Sequence, residues 1–491
     1  MNHSGGNRYD LSRITRRAMS EAGFNVELSE SATRELAMLK DLAEQDPDMS
    51  EGIRDQRALL WSSIDNADSR DLDQVEYAEG LPDGRTRVLV GIADVDAFVP
   101  KGSALDRHAA MNATSLYLGV SVFPMLPELL SEGLTSLLPG EDRLAIVTEL
   151  IVDNDGSVAG VDAWRALVRN HAKLAYEPVG AWLEKRGPEP HAIAEIPGLR
   201  EQVMLQYNAM ECLERYREQA GALNFETLEA RPVAVDGKVV DIVLKEENEA
   251  RDLIEDVMVT TNSGIAHFLK SHGYPAIQRL VREPDRWKQI VMIARRQGEE
   301  LPELPDSRAL AGFLNHRKLA DPAGYPDLSM SVVKLLGAGE YAVVTPDMAD
   351  EQHFGLAVHG YSRSTAPNRR YIDLVTQRLL KGAIAGRPSP YSVEELQAVA
   401  DLCRDREREA RKVERRVRKS AAAILLDDRI GQTFDGIVTG ATPKGTFVRL
   451  FRPPAEGLVV RGEEGMRVGD RVRVRLLGTD VEKGFIDFAR A

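Results

Sequence analysis

Cysteine is scarce in this 491-residue sequence: only Cys212 and Cys403 occur. Two cysteines exclude a disulfide framework and a cysteine-rich zinc site, and they suit a reducing compartment, so a cytoplasmic location is expected. No Cys-x-x-Cys, His-Glu-x-x-His or Gly-x-Ser-x-Gly is present. The stretch GATPKGT (440–446) lacks the Gly-Lys-Ser/Thr ending of a phosphate loop, so nucleotide binding of that type is not expected. No run approaches the roughly 18 apolar residues of a membrane span, and Met1–Asp10 is polar, without an apolar signal core. With 39 glycines and 24 prolines, near average usage, collagenous and low-complexity classes are also excluded.

What remains is a chain with 43% hydrophobic and 29% charged residues, enough to bury a real core. At roughly 100–200 residues per domain, its length predicts two to four domains. The net charge of −14 at first argues against a polyanionic partner, but the charge is unevenly spread. Residues 401–491 hold 20 Lys and Arg against 15 Asp and Glu; the preceding residues hold 43 against 62. A basic end on an acidic body suits a module that guides a polyanion.

Residues 11–22 and 29–45 read as helices, with Gly23 between them and Ser29 as an N-cap. They form a unit of helix–turn–helix size over 1–50. The acidic balance of 29–45 leaves no basic recognition helix, so a DNA-binding regulator is disfavoured. From 51 to 430, strand-like runs such as RVLVGIADV (87–95) and RLAIVTELIVD (143–153) alternate with helical stretches such as 248–273. This predicts one large mixed α/β domain in an α+β multidomain chain. Residues 391–428 read as a helix of mixed charge, either solvated and laced with ion pairs or also contacting phosphates.

The stretch SSIDNADSRDLDQ (62–74) places Asp65, Asp68, Asp71 and Asp73 within nine residues. Such a cluster is either a solvated loop or a site whose mutual repulsion is offset by hard cations. Magnesium prefers oxygen ligands and can bridge a phosphate, and two such ions suit an in-line phosphodiester displacement.

Short strands at 434–441, 445–451, 456–461, 470–480 and 484–489, with glycine-containing turns, predict a small antiparallel barrel over 431–491. FDGIVTGATPKGTFVRLF, followed by EGLVV and RVRVRLL, resembles an S1 domain, an OB-fold that holds single-stranded RNA. On that resemblance Phe434 and Phe447 are stacking faces or core plugs, and Arg449, Arg473 and Arg475 track phosphates.

The larger domain carries a second resemblance. SSIDNADSRDLDQ is followed in order by VGIADVDAFVPKGSALDRHAAMNATSLYLG, PMLPELLSEGLTSLLPGEDRLA, AKLAYEPVGAWLE, ARDLIEDVMVTTN and HFGLAVHGYSRSTAPNRRYIDLVTQRLL. Over about 55–430 this resembles the catalytic (RNB) domain of the ribonuclease II family. The resemblance implies a magnesium-dependent exoribonuclease, with one or two ions and manganese as a substitute, in RNA decay or processing. It would degrade single-stranded RNA from a free 3′ end to nucleoside 5′-monophosphates, as a monomer without membrane attachment or DNA specificity.

By position, Asp65, Asp71 and Asp73 match the metal-binding aspartates. Gln74 stands where the family places a further Asp; its carbonyl can still coordinate, and Asp68 is a nearby substitute. Tyr117 matches a clamp on the 3′-terminal nucleotide and Tyr176 another base contact. Arg369 and Arg370 match the basic pair beside the scissile phosphate, although RSTAPNRRY departs from the usual HFTSPIRRY. Glu255, with Asp256 as the alternative, matches a sugar-contacting glutamate, and a stacking phenylalanine falls near Phe225 or Pro232. Bacterial members usually begin with two cold-shock-type barrels; here about 50 helical residues precede the domain. The rival expectation is an RNA-binding protein that keeps the fold and has lost catalysis, for which Gln74 is the support.

Overall fold

Asp10 accepts hydrogen bonds from the backbone N–H groups of Ser12 and Arg13 (2.9 and 3.3 Å) and so starts α1 (Leu11–Glu21). Ser29 Oγ accepts from Ala32 N at 3.2 Å and starts α2 (Glu30–Leu42) in the same way. The computed structural model describes residues 9–42, 52–118, 122–226, 230–235, 238–244, 247–322, 324–349, 351–442 and 445–491. The expected end of the second helix at 45 therefore lies outside the described residues.

Strands β1 (Ile53–Asp55), β2 (Trp61–Asp65), β3 (Gln74–Gly80) and β4 (Thr86–Ala93) come next. After α3 (Ala104–Asn112) and the short pair β5 (Leu116–Tyr117) and β6 (Val122–Phe123) follow β7 (Asp142–Val152) and β8 (Val158–Ala175). They form one six-stranded sheet in the order β1-β8-β2-β3-β4-β7. β8 pairs antiparallel with β7 and parallel with β1 and β2, its last residue Ala175 reaching Asp65.

Both faces of the sheet are covered, which explains the unbroken apolar run in β4. Further along come α4 (Tyr176–Leu183), α5 (His191–Glu195), α6 (Leu199–Ala220), the hairpin β9 (Ala230–Val235) and β10 (Lys238–Leu244), and α7 (Glu249–Ser271). One face of the sheet (Ile64, Ala78, Val88, Val90, Ile92) packs on Leu199, Val203 and Met210 of α6 and Leu253 and Val257 of α7. Gly91, on the other face, lets Val75 and Trp61 close in: a Cβ there would meet Val75 Cγ2 at 3.0 Å.

Beyond α7 lie β11 (Ala276–Leu280), α8 (Trp287–Arg296), α9 (Ser307–Ala320), α10 (Tyr325–Leu336), β12 (Glu340–Val344), β13 (Gln352–His353) and β14 (Val358–His359). Helix α11 (Tyr371–Ile384) buries Ile372, Val375 and Leu379 against the Trp61 face of the sheet. Helix α12 (Val393–Asp427) starts in a capping box, Ser392 with Glu395, and runs 35 residues to the barrel. The barrel closes as β15-β16-β17-β19-β18: β15 (Thr433–Thr442), β16 (Gly445–Leu450), β17 (Glu456–Arg461), β18 (Arg471–Asp480), β19 (Phe485–Arg490). The α+β class, the mixed α/β body and the C-terminal barrel are as the sequence predicts.

The N-terminal helices serve different bodies. Leu11, Ile14 and Met19 of α1 share one apolar cluster with Val413 and Val417 of α12, the barrel core (Val448, Leu476, Phe488) and Leu116 of β5. Helix α2 instead packs beside α3, with Ala32 in the main sheet cluster. Among the described residues no helix is long and apolar enough to cross a membrane.

Candidate active site at the β2–β3 loop

The acidic loop 66–73 is pinned from several sides. Ser136 Oγ accepts from Leu72 N at 3.0 Å and donates to Arg70 O at 2.6 Å, Leu137 N donates to Leu72 O, and Lys173 Nζ donates to Ala67 O at 2.9 Å. Leu72 is fully buried beneath it. The loop is therefore a fixed platform, and three of its four aspartates turn inward while Asp68 stays exposed.

Asp65, at the end of β2, accepts on Oδ1 from Asn66 N (2.6 Å) and Ser69 Oγ (2.9 Å). Burial pushes its carboxyl up, those two bonds pull it back, and Asp71 adds repulsion. Asp71 accepts from the Tyr117 hydroxyl. Asp73 is 2% exposed and accepts from Arg369 Nε at 2.9 Å on Oδ2 and from Asn368 N at 3.3 Å on Oδ1. Burial still lifts it to about 7, against the pull of Arg369 and with the push of Asp71. Among the described residues no three His, Cys, Asp or Glu side chains already converge at metal-ligand distance. Asp73 and Asp71 are turned to Arg369 and Tyr117.

Successive residues of a strand point to opposite faces. Gln74, buried at the start of β3, therefore shares the face of Glu76 and Ala78, away from Asp73. Arg369 and Arg370 separate in the same way. Arg369 reaches Asp73, whereas Arg370 is held by the fully buried Asp373 at 2.6 Å and by Thr365. Asp373 also accepts from Ala366 N, which fixes the turn carrying both arginines.

Tyr117 is 46% exposed, its hydroxyl tied to Asp71 and its ring open. Tyr176 opens α4, and the Arg251 guanidinium lies 4.3 Å from its ring centroid. Arg251 also bonds Glu177 (2.9 Å) and Asn66 Oδ1 (3.3 Å), joining α7 to the acidic loop. Glu255 is exposed on α7, one turn beyond Arg251, while Asp256 is buried and paired with Arg217. Phe225 packs against the α8–α10 cluster, and Pro232 sits buried in β9 opposite Ile242.

On the barrel, Phe434 packs partly into the shared core, whereas Phe447 is half-buried on the β16 face that also carries Arg449. Arg449 pairs with Asp327 of α10 at 2.9 Å, so it docks the barrel onto the catalytic body. Arg473 and Arg475 are exposed on β18, Arg473 within 3.8 Å of the exposed Asp435.

Reading the sequence missed Arg251 and Glu76. Arg251 lay inside a motif already singled out. The signal for Glu76 was a charged residue at an inward position of an alternating strand.

The RNB domain family matches residues 53–386. The chain belongs to this family, that of ribonuclease II. The C-terminal S1 domain of ribonuclease II-type exonucleases matches residues 432–491. Ribonuclease R of Escherichia coli (strain K12) is 31% identical over 486 residues, covering 91% of this chain and 58% of that protein. Ribonuclease R of Thermotoga maritima is 31% identical over 475 residues, covering 89% of this chain and 64% of that protein. The chain thus spans less than two thirds of the length of these relatives. In fold, apo ribonuclease R of Mycoplasma genitalium superposes with a TM-score of 0.87 at 23% identity, over 99% of this chain and 79% of that one. A structure of the same protein in complex with ribose-methylated single-stranded RNA gives the same TM-score. The family's sheet and barrel are therefore complete in this chain.

Proposed function

We propose that this chain is a magnesium-dependent 3′→5′ exoribonuclease that hydrolyses single-stranded RNA to nucleoside 5′-monophosphates. The observation that carries this reading is the convergence of Asp65, Asp71 and Asp73 on one pinned loop, with Arg369 on Asp73 and Tyr117 on Asp71, inside an RNB-family fold. The similar Mycoplasma protein is seen with single-stranded RNA, which supports the substrate class.

The donor set fits a hard divalent cation, because it offers only carboxylate oxygens and Asp65 Oδ2 takes none of the loop's hydrogen bonds. Asp65, Asp71 and Asp73 would hold magnesium, or manganese in its place, with Gln74 a further candidate. A cation bound there supplies Lewis acidity to the phosphate and lowers the pKa of an attacking water. The protein's own groups do the positioning. Tyr117 offers a face to the 3′-terminal base, and Tyr176, backed by Arg251, offers a second surface. Arg369 binds Asp73 through Nε only, so its two terminal nitrogens remain for a phosphate oxygen. Arg370 supports the same turn through Asp373. Glu255 reaches for the terminal sugar from the exposed side of α7, which would distinguish RNA from DNA.

RNA reaches the site from the barrel, with Phe447, Arg473 and Arg475 as the exposed contacts and Phe434 set deeper. On this reading 1–50 is an accessory helical segment, 51–430 the catalytic domain and 431–491 the S1 module, acting as a cytoplasmic monomer on RNA with a free 3′ end. The second reading, an RNA-binding protein without turnover, is favoured by Gln74 alone. A 5′-labelled single-stranded RNA, incubated with magnesium or chelator and resolved at single-nucleotide resolution, decides between them. Stepwise shortening from the 3′ end that stops with chelator supports the nuclease; intact RNA under both conditions, with binding retained, supports the second reading.

A further inference from the structure

Glu76 has no protein partner. It is 0% exposed, and neither carboxylate oxygen has a hydrogen-bond partner or a paired cation among the described residues. An isolated carboxylate so deeply buried is strongly disfavoured as the anion. As the neutral acid it would carry an O–H in search of an acceptor. An acceptor is close by: Ser62 stands directly opposite across the β2–β3 pair, so both side chains rise from the same face. Yet Ser62 Oγ, also 0% exposed, is unpartnered too. Two buried polar groups face each other without bonding, in a row otherwise built of Ile64, Ala78, Val90 and Ile92. Such a pair calls for an occupant that brings both charge and donors.

Its position says which occupant. Glu76 lies two residues past Gln74 on the same strand face, and Asp65, at the end of the neighbouring strand, is the carboxylate whose charge reaches it. Tyr176 lies within electrostatic reach of both Asp65 and Glu76. Asp68, the alternative source of a fourth carboxylate, is exposed on the outside of the loop. We infer that Glu76 is an additional anionic ligand of the active-site cation, directly or through one of its waters, and supplies the negative charge that Gln74 lacks. A strongly hydrated divalent ion satisfies both groups, its charge facing the carboxylate and its waters donating to Ser62 and Glu76. The inference rests on the reading of the Asp65–Asp73 loop as a cation site.

The test is a manganese titration of the full chain, followed by loss of the free-ion EPR signal, for wild type, Glu76→Gln and Glu76→Leu. Melting temperatures with chelator and with magnesium are measured beside it. Both variants are expected to bind manganese ~10-fold or more weakly and to lose much of the magnesium-induced rise in Tm. Their Tm in chelator should equal or exceed that of wild type. Adding Gln74→Asp to Glu76→Gln is expected to restore affinity, which a purely structural role would not do. Wild-type affinity in either folded variant overturns the inference. So does a loss confined to Glu76→Gln that is matched by a lower Tm in chelator. Should Glu76→Gln not fold, Glu76→Leu, which continues the apolar row, carries the comparison. If wild type itself shows no saturable manganese binding, it is the cation reading of the whole loop that falls.

Discussion

Arg369 donates Nε to Oδ2 of Asp73 at 2.9 Å, from a side chain 45% exposed to a carboxylate almost wholly buried. The pair thus joins the floor of the site to its mouth. The arginine neutralises the aspartate and leaves the outer part of its guanidinium for a phosphate.

Replacing that carboxylate separates chemistry from binding. Asp73→Asn keeps the volume and removes the charge, so turnover should fall by ~10²-fold or more while RNA affinity changes little. Single-turnover rates beside a filter-binding titration check this; a wild-type rate would show that Asp73 is not part of the cation site.

The same residue gives the protein a pH signature. Its folded carboxyl is raised from 3.8 to about 7 by burial, so the folded state holds its proton more tightly than the unfolded chain. The sign follows: stability is highest below the unfolded value and falls as pH rises through about 7. At ~1.4 kcal/mol per pKa unit the loss is of order 4 kcal/mol. Denaturant melts in chelator at pH 5 and pH 8 should show the decline, and Asp73→Asn should reduce it. A divalent cation should offset it, by favouring the ionised form.

Tyr117 carries two separable functions, an open ring and a hydroxyl bound to Asp71. Tyr117→Ala removes the stacking face and should weaken engagement of the 3′ end by ~1–3 kcal/mol, read as a higher KM on short oligonucleotides. Tyr117→Phe keeps the ring and frees Asp71, so KM should stay near wild type and any change should fall on the metal requirement. Equal behaviour of the two variants would rule out stacking.

The barrel is tested without removing it, because its core is shared with α1 and α12 and truncation would strip them. Arg473→Ala and Arg475→Ala are exposed changes. Removing an arginine that neutralises one phosphate should lower the salt slope of RNA binding by ~0.7, with the rate on a short oligonucleotide unchanged. An unaltered slope in the double variant would take these arginines out of the RNA path.

Elements whose signal lies within one stretch of chain were legible. Strand β4, helix α7 with its Asn248 cap, and all the barrel strands fall within a residue or two of their sequence periodicity. The acidic loop was legible because its carboxylates are neighbours in the chain. Relations made only by tertiary packing were not. Nothing local announces that Arg251 covers Tyr176, that Arg449 is committed to Asp327, or that Arg370 turns to Asp373 while its neighbour turns to Asp73. Helices α1 and α2 looked like one unit because they adjoin in sequence. Their apolar faces answer to different partners, one to α12 and the barrel, the other to α3.

Leu116, the residue before Tyr117, belongs to the apolar cluster that also contains the barrel interior, α1 and α12. At 1.5 Å per residue the 35-residue α12 is a strut of about 52 Å, stiff along its length. Tension on a strand gripped by the barrel is therefore transmitted through this strut and the shared packing to the seat of Tyr117. The barrel cannot swing as a loose pendant, and the gap between where RNA is gripped and where its last nucleotide rests is set by the protein's own skeleton.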